Sequence, residues 1–184
     1  MPERIESAAA AIRAGGVVAY PTEAVFGLGC DPRNEHAVRR VLALKGRPPG
    51  KGLILIAADL HQLIPYLAPL PHDLLERVRA SWPGPVTWLL PARPHTPSWL
   101  TGRHHTLAVR VTAHPLAAAL CCAARTALVS TSANRAGRPP VRHAAEVRAL
   151  FGAQLDAVID APVGGLKRPS EIRDAHGRII RPGN

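Results

Sequence analysis

Three cationic side chains lie within seven residues of one another, in a segment poorly suited to either a helix or a strand. Lys45, Arg47 and Lys51 are interspersed with two prolines and three glycines between residues 45 and 52. The apolar run at 53–57 follows and predicts a buried strand that would anchor the segment. Such a loop exposes backbone N–H groups and charged heads, which suits phosphate binding. A solvated basic turn is an equally compatible interpretation of the loop alone.

Three familiar site patterns fail on this sequence. The basic loop has three residues rather than four between Gly46 and Gly50. Lys51 is followed by Gly52, so the Ser or Thr that holds magnesium in a P-loop is missing. A G-x-G pattern begins at 27–29, but the third glycine of a dinucleotide fingerprint is absent. No serine has the G-x-S-x-G surroundings of a nucleophile elbow.

Short polar segments follow several of the apolar runs. One comes after a predicted strand at 17–20 and another after a predicted strand at 127–129. Hydroxyls, an amide and arginines at strand ends would suit a phosphorylated ligand and a carboxylate. Each cluster is also compatible with a turn or a helix cap. The candidate side chains of this kind are Thr22, Thr106, Arg110, Ser130, Ser132, Asn134, Ser170 and Arg181.

Arg110 directly follows the apolar run at 107–109, which is an unusual place for a bulky cation. Its guanidinium would suit the carboxylate of a ligand. The alternative is a structural salt bridge, for which Asp31 and Glu171 are the candidate partners. The residues alone leave both interpretations open.

The segments that position these side chains alternate between helical and strand patterns. Asn34 is expected to cap a helix over 35–44, whose apolar residues fall on one face. This alternation favours an α/β fold with a twisted, open, mixed sheet and flanking helices. No repeat or linker divides the chain, so a single domain over residues 1–184 is expected. Further helices are predicted at 5–13, 59–66, 71–80, 115–124 and 143–150, strands at 17–20, 53–57, 86–90, 107–111, 127–129 and 157–159, and a hairpin at 172–180.

Composition limits the class of protein further. The chain has 184 residues, of which 47% are hydrophobic and 20% charged, so a packed core is expected rather than disorder. The net charge of +10 favours a polyanionic partner, either nucleic acid or a phosphate-bearing ligand. Aromatic residues make up only 4%, which argues against a stacking platform for single-stranded RNA.

The cysteines and histidines form no recognisable metal or disulfide pattern. Cys30, Cys121 and Cys122 contain no C-x-x-C pair. His104 and His105 lie in a polar stretch without a helical partner at metal-binding spacing. The sequence has neither an apolar run of transmembrane length nor a signal peptide, so no membrane association is expected. A reducing, cytoplasmic setting is the simplest interpretation.

Six segments, in this order and spacing, resemble the YrdC-like family from about residue 5 to the C-terminus. The resemblance is strongest to the short bacterial members, the TsaC-type threonylcarbamoyl-AMP synthases. The segments are YPTEAVFGLG at 20–29, KGRP at 45–48, SWPGPVT at 81–87, LAVRV at 107–111, STSAN at 130–134 and PSEIRD at 169–174.

The resemblance implies a fold with a basic concave face and a specific reaction. That reaction joins L-threonine, bicarbonate and ATP into L-threonylcarbamoyladenylate and releases pyrophosphate. Mg²⁺ is implied together with ATP, but no carboxylate pair in the sequence identifies its ligands. tRNA threonylcarbamoyl-transferase proteins would then pass the threonylcarbamoyl group to tRNAs that decode ANN codons.

The resemblance also implies roles for individual residues. Lys45 and Arg47 would be the catalytic residues, because neutralising and positioning the triphosphate dominates such a reaction. Arg110 would pair with the threonine carboxylate. The implied ATP contacts are Lys45, Arg47, Lys51, Thr106, Ser132, Asn134 and Arg181, and the implied threonine contacts are Thr22, Arg110, Ser130 and Ser170.

A protein that binds double-stranded RNA or assists ribosome maturation is the alternative interpretation. The net charge of +10 supports it, and an RNA contact is compatible with the enzyme as well. An RNA-binding surface should lose affinity steeply as salt rises. The enzyme should instead consume ATP only when threonine and bicarbonate are present, which separates the two.

Overall fold

The computed structural model describes residues 1–183, in which nine strands form one mixed sheet with helices on both faces. The predicted domain extends to Asn184, which lies outside the described residues. The α-helices are α1 (Pro2–Arg13), α2 (Glu35–Lys45), α3 (His72–Ala80), α4 (Ser98–Thr101), α5 (Pro115–Ala124) and α6 (Ala144–Phe151). The strands are β1 (Val18–Pro21), β2 (Phe26–Gly29), β3 (Ile54–Ala57), β4 (Val86–Pro91), β5 (Thr106–Val111), β6 (Leu128–Ser132), β7 (Ala157–Val158), β8 (Glu171–Asp174) and β9 (Ile179–Arg181).

The sheet has the strand order β7-β1-β2-β6-β3-β5-β4-β8-β9. The pairs β7–β1, β3–β5 and β4–β8 are parallel, and the other neighbours are antiparallel. The open, mixed α/β sheet predicted from the sequence is therefore confirmed. Its parallel pairs place strands that are distant in sequence side by side, with their corresponding ends at the same edge of the sheet.

Alternate residues of the central strands face two different hydrophobic cores, as the two-residue repeat of a strand requires. In β3, Leu55 packs into the larger core and Ile56 into the smaller one. Helices α1 and α5 close the smaller core and pack against each other. They cover the sheet around β1 and β3, so the same face farther along, at β4 and β8, is left for a pocket.

The helix that precedes the basic loop begins where the sequence predicts and ends one residue later, at Lys45. The Asn34 side chain accepts a hydrogen bond from the Ala37 N–H at 3.0 Å, which caps α2. Gly46 follows with φ +61°, a left-handed conformation that glycine adopts without steric cost. The chain thus leaves the helix directly after Lys45 and turns into the basic loop.

The observed secondary structure differs from the predicted one at four places. The strand expected at 127–129 continues to Ser132, because Ser130 and Ser132 pair with neighbouring strands. β2 was interpreted as part of a failed glycine pattern, yet antiparallel pairing on both sides makes it a strand. Residues 59–66 form two short 3-10 turns, since Pro65 cannot donate a helical hydrogen bond. The short helix α4 was not predicted.

Two of the three cysteines are buried and one is exposed. Cys30, Cys121 and Cys122 are free thiols, and burial raises the pKa of Cys30 and Cys121. None of the helices formed by residues 1–183 is long and apolar enough to cross a membrane.

Candidate functional site

A pocket of about 370 Å³ lies on the sheet face that α1 and α5 leave open. Its floor is apolar and comes from neighbouring strands: Ile54 of β3, Ala108 of β5, Leu89 of β4 and Ile172 of β8. Polar side chains from strand ends and loops surround this floor. An apolar base with a few convergent polar groups is the usual form of a small-molecule site.

The basic loop forms one wall of this pocket. Arg47 and Lys51 both line it, and the Arg47 Nη2 donates to the Gly52 carbonyl at 2.9 Å. The Arg47 Nε is buried and has no hydrogen-bond partner among the described residues. Burial also lowers the pKa of Arg47, although a guanidinium stays charged in proteins. A buried, unpaired cationic donor is costly, so an anion at this position would be strongly favoured.

Lys45 lies behind that wall rather than in it. Its ammonium donates to the Ser132 carbonyl, to the Asn134 carbonyl at 3.0 Å and to Asn134 Oδ1 at 2.9 Å. An ammonium has three donors, so all of them are used within the protein. Burial, followed by the nearby Arg47 charge, lowers the pKa of Lys45 to about 8. Lys45 therefore joins the end of α2 to the end of β6.

The segment that follows β6 is held in a tight polar network. The Ser132 Oγ donates to Asn134 Oδ1 at 2.6 Å. The Asn134 Nδ2 donates to the carbonyls of Arg135 and Arg138, which closes the turn. Ser132 lines the pocket, whereas Asn134 supports it from behind. This explains why an amide and a hydroxyl occur at this spacing.

Hydroxyls and another arginine also line the pocket. The Thr22 Oγ1 donates to the Val25 carbonyl at 2.7 Å, and Ser130 is buried in β6. The Ser170 Oγ lies 2.9 Å from Thr87 Oγ1, and Arg181 Nη2 donates to the Ser170 carbonyl at 2.7 Å. Burial and the charge of Arg110 lower the pKa of Arg181.

Arg110 is ion-paired with Glu23, so both partners suggested from the sequence are wrong. The Arg110 Nη1 lies 2.5 Å from Glu23 Oε1, whereas Asp31 pairs with Arg33 and Glu171 with Arg173. Burial alone would raise the pKa of Glu23. The charge of Arg110 and the hydrogen bonds from Arg110 and Thr112 together outweigh burial, so that pKa is lowered. The Arg110 Nε remains buried without a partner among residues 1–183.

The structure brings nine of the eleven predicted site residues to one pocket, with Lys45 and Asn134 directly behind it. Sequence reasoning missed Glu23, although it directly follows Thr22 in one of the six segments. It also missed His104, which had been considered only as a metal ligand but lines the pocket. The nine residues are Thr22, Arg47, Lys51, Thr106, Arg110, Ser130, Ser132, Ser170 and Arg181.

The described residues of the pocket do not form a preformed set of metal ligands. Across residues 1–183, no group of three or more His, Cys, Asp or Glu side chains is arranged to hold one. Glu23 lines the pocket, but its carboxylate is engaged by Arg110. A magnesium ion would thus have to bring most of its oxygen ligands from a substrate.

The family model Sua5_yciO_yrdC, described as "Telomere recombination", matches residues 10–183. The chain belongs to this family. The resemblance to YrdC-like proteins found in the sequence is therefore confirmed. The match covers the basic loop, the end of β6 and the final hairpin together.

Curated family members are similar over almost their full length. A threonylcarbamoyl-AMP synthase of Halorhodospira halophila is 62% identical over 181 residues, which cover 98% of this chain and 95% of that protein. One of Nitrosococcus oceani is 60% identical, with 97% of each chain covered. The crystal structure of P. abyssi Sua5 complexed with L-threonine matches with a TM-score of 0.93 and 33% identity. That match covers all of this chain and 55% of the Sua5 chain.

The position of the basic loop depends on a close contact between two glycines, which gives a testable prediction. Gly102 has φ +64°, and a Cβ there would lie 2.5 Å from the Gly52 N and 2.6 Å from the Gly50 carbonyl oxygen. Gly102→Ala should cost about 1–3 kcal/mol of unfolding free energy from backbone strain alone, and it should also displace Lys51. Denaturant unfolding and ATP binding measure the two effects.

Gly152→Ala is the matched control, because Gly152 also has a positive φ but no atom within 4 Å of the position of a Cβ. It should lose stability through backbone strain while binding ATP as the unmodified protein does. If Gly102→Ala binds ATP normally, the glycine contact does not position the basic loop.

Proposed function

We propose that this chain is an L-threonylcarbamoyl-AMP synthase, which forms threonylcarbamoyl-AMP and pyrophosphate from L-threonine, bicarbonate and ATP. The observation that carries the proposal is the similarity to synthases of that name over nearly the whole chain. The pocket supports the proposal, because its lining combines a cationic wall, an arginine that suits a carboxylate and an apolar floor. These three features match the phosphates, the amino acid and the base of the two larger substrates.

The basic loop would bind the phosphates of ATP during the reaction. The neutral amine of threonine bonds to the carbon of bicarbonate and water leaves, which gives a carbamate. A carbamate oxygen then bonds to the α-phosphorus of ATP. The bond from that phosphorus to the bridging oxygen breaks, and pyrophosphate leaves. Arg47 and Lys51 would neutralise the triphosphate and the departing pyrophosphate, which is the dominant requirement in phosphoryl transfer. Lys45 would act with them by holding Ser132 and Asn134 in place.

The nucleotide and the amino acid would occupy adjacent parts of the floor. Thr106, Ser132 and Arg181 offer hydrogen bonds to the nucleotide, and the apolar floor suits a base. Arg110 would pair with the threonine carboxylate, since it lines the pocket and a guanidinium suits a carboxylate. The hydroxyls near it would contact the threonine side chain and the carbamate: Thr22, Ser130 and Ser170.

Mg²⁺ would enter as part of the ATP complex. Magnesium keeps several waters and is commonly bound by substrate phosphates with few protein carboxylates. This mode of binding is compatible with the pocket, because the carboxylate of Glu23, which lines it, is already paired with Arg110. No separate protein-bound metal is required by this proposal.

The product would be consumed by tRNA threonylcarbamoyl-transferase proteins acting on ANN-decoding tRNAs, which fits a cytoplasmic location. Double-stranded RNA binding as the main function is not favoured, because the relatives carry the name of an enzyme and the pocket has the size of a small-molecule site. The net charge of +10 is compatible with a contact to tRNA.

Pyrophosphate release tests the proposed function. The protein is incubated with ATP, magnesium and bicarbonate, with one amino acid added at a time. We expect pyrophosphate to appear with threonine and to stop when either threonine or bicarbonate is omitted. Release that is independent of amino acid, or no release where a known synthase is active, would contradict the proposal.

A further inference from the structure

Glu23 is held unusually firmly for a side chain that lines a pocket. Its Oε1 accepts from the Arg110 Nη1, from Thr112 Oγ1 at 2.7 Å and from the Ala113 N–H at 3.0 Å. Three donors from the end of β5 and the residues after it thus converge on one oxygen. The carboxylate cannot rotate without breaking all three interactions.

The main chain around Glu23 is fixed as well. The Gly164 N–H donates to the Thr22 carbonyl at 2.9 Å, and the Leu166 N–H donates to the Glu23 carbonyl at 3.1 Å. A Cβ at residue 164 would lie only 2.5 Å from that same carbonyl oxygen, so the two segments are in close contact. Glu23 is therefore clamped through both its side chain and its backbone.

This clamp determines how Arg110 can present its charge. A guanidinium is planar and rigid, so fixing Nη1 restricts the plane of all its donors. Arg110 is only 6% exposed, and its Nε has no partner among the described residues. The ion pair therefore engages Nη1 and fixes the orientation of a guanidinium that lines the pocket.

We infer that Glu23 is a positioning residue that orients Arg110 toward the carboxylate of the amino acid substrate. This inference rests on the proposed function, which gives the pocket an amino acid to bind. Glu23 itself does not need to touch the substrate. A purely structural ion pair would affect folding and leave the affinity for the amino acid unchanged, so the two roles can be separated.

Equilibrium binding of L-threonine and of ATP, each measured by calorimetry, tests the inference. Glu23→Gln keeps the size of the side chain and removes its charge. It should weaken threonine binding by roughly tenfold or more while changing ATP binding by less than about twofold. In a double-mutant cycle, Glu23→Gln should add nothing further once Arg110→Ala is present, because Glu23 acts through Arg110.

Asp156→Asn is the matched control, because Asp156 also joins an arginine to a backbone amide, through Arg40 at 3.0 Å and the Val17 N–H at 2.7 Å. It should lower the melting temperature and leave both affinities unchanged. Three results would each overturn the inference. Glu23→Gln could bind threonine as tightly as the unmodified protein, the two substitutions could act independently in the cycle, or Asp156→Asn could lose threonine affinity to a similar extent. Failure of the unmodified protein to bind threonine would instead overturn the proposed function, and the inference with it.

Discussion

Arg47→Ala is expected to lower kcat/KM for ATP by roughly 10²- to 10³-fold, the size of effect seen when one preorganised charged donor is lost. The reason is that Arg47 lines the pocket and its buried Nε has no partner among the described residues. Phosphate oxygens would satisfy it, and the transition state carries more charge there than the substrate does. Steady-state kinetics with varied ATP, at saturating threonine, measure the loss.

Two variants show whether that loss is local. Arg39→Ala removes another arginine, one that is exposed and paired with Glu35 on the surface of α2, and it should leave the kinetics unchanged. Arg47→Lys keeps the charge but loses the forked donor geometry, so we expect only partial activity. If Arg47→Ala unfolds while activity per folded molecule is intact, Arg47 does not bind phosphate.

Lys45→Met should reduce both stability and kcat/KM for ATP, although Lys45 does not line the pocket. Its ammonium satisfies the carbonyls of Ser132 and Asn134 and the Asn134 side chain. Removing it leaves part-buried acceptors unpaired, at a cost of about 1–3 kcal/mol in unfolding free energy. The displaced Ser132 should lower kcat/KM by roughly 100-fold, as small misplacements of positioning groups do.

The same residue gives a pH dependence. Because the pKa of Lys45 is lowered to about 8, its ammonium loses its proton as the pH rises through that value. Deprotonation removes one of the donors that hold Ser132 and Asn134, so kcat/KM for ATP should fall above about pH 8. Lys45→Arg stays charged over this range and should lack that decline. An unchanged alkaline limb in Lys45→Arg would assign the titration to another group.

Much of the fold could be predicted because the signals are local. The Asn34 cap marked the start of α2, and the predicted hairpin at 172–180 corresponds to β8 and β9. β2 could not be predicted, since its glycines resemble a loop and only pairing with β1 and β6 makes it a strand. Local patterns report backbone preferences, whereas strand pairing depends on residues far apart in sequence.

In the candidate site too, the residue types could be predicted from local sequence, whereas their partners could not. Hydroxyls and cations at strand ends could be identified as residue types, and the sheet does bring most of them together. The partner of Arg110 could not be identified, because Glu23 is 87 positions away and meets it only across the folded sheet. The direction of the Lys45 ammonium could not be predicted either, because it depends on how the end of β6 packs beside α2.

In the proposed function, one pocket joins bicarbonate and threonine to the α-phosphate of ATP. Incubation with isotopically labelled bicarbonate, followed by separation of the products and mass spectrometry, shows whether it does. We expect an adenylate that contains both the labelled carbon and threonine, formed together with pyrophosphate and greatly reduced in Arg47→Ala. An adenylate without the label, or label incorporation that does not require threonine, would contradict it.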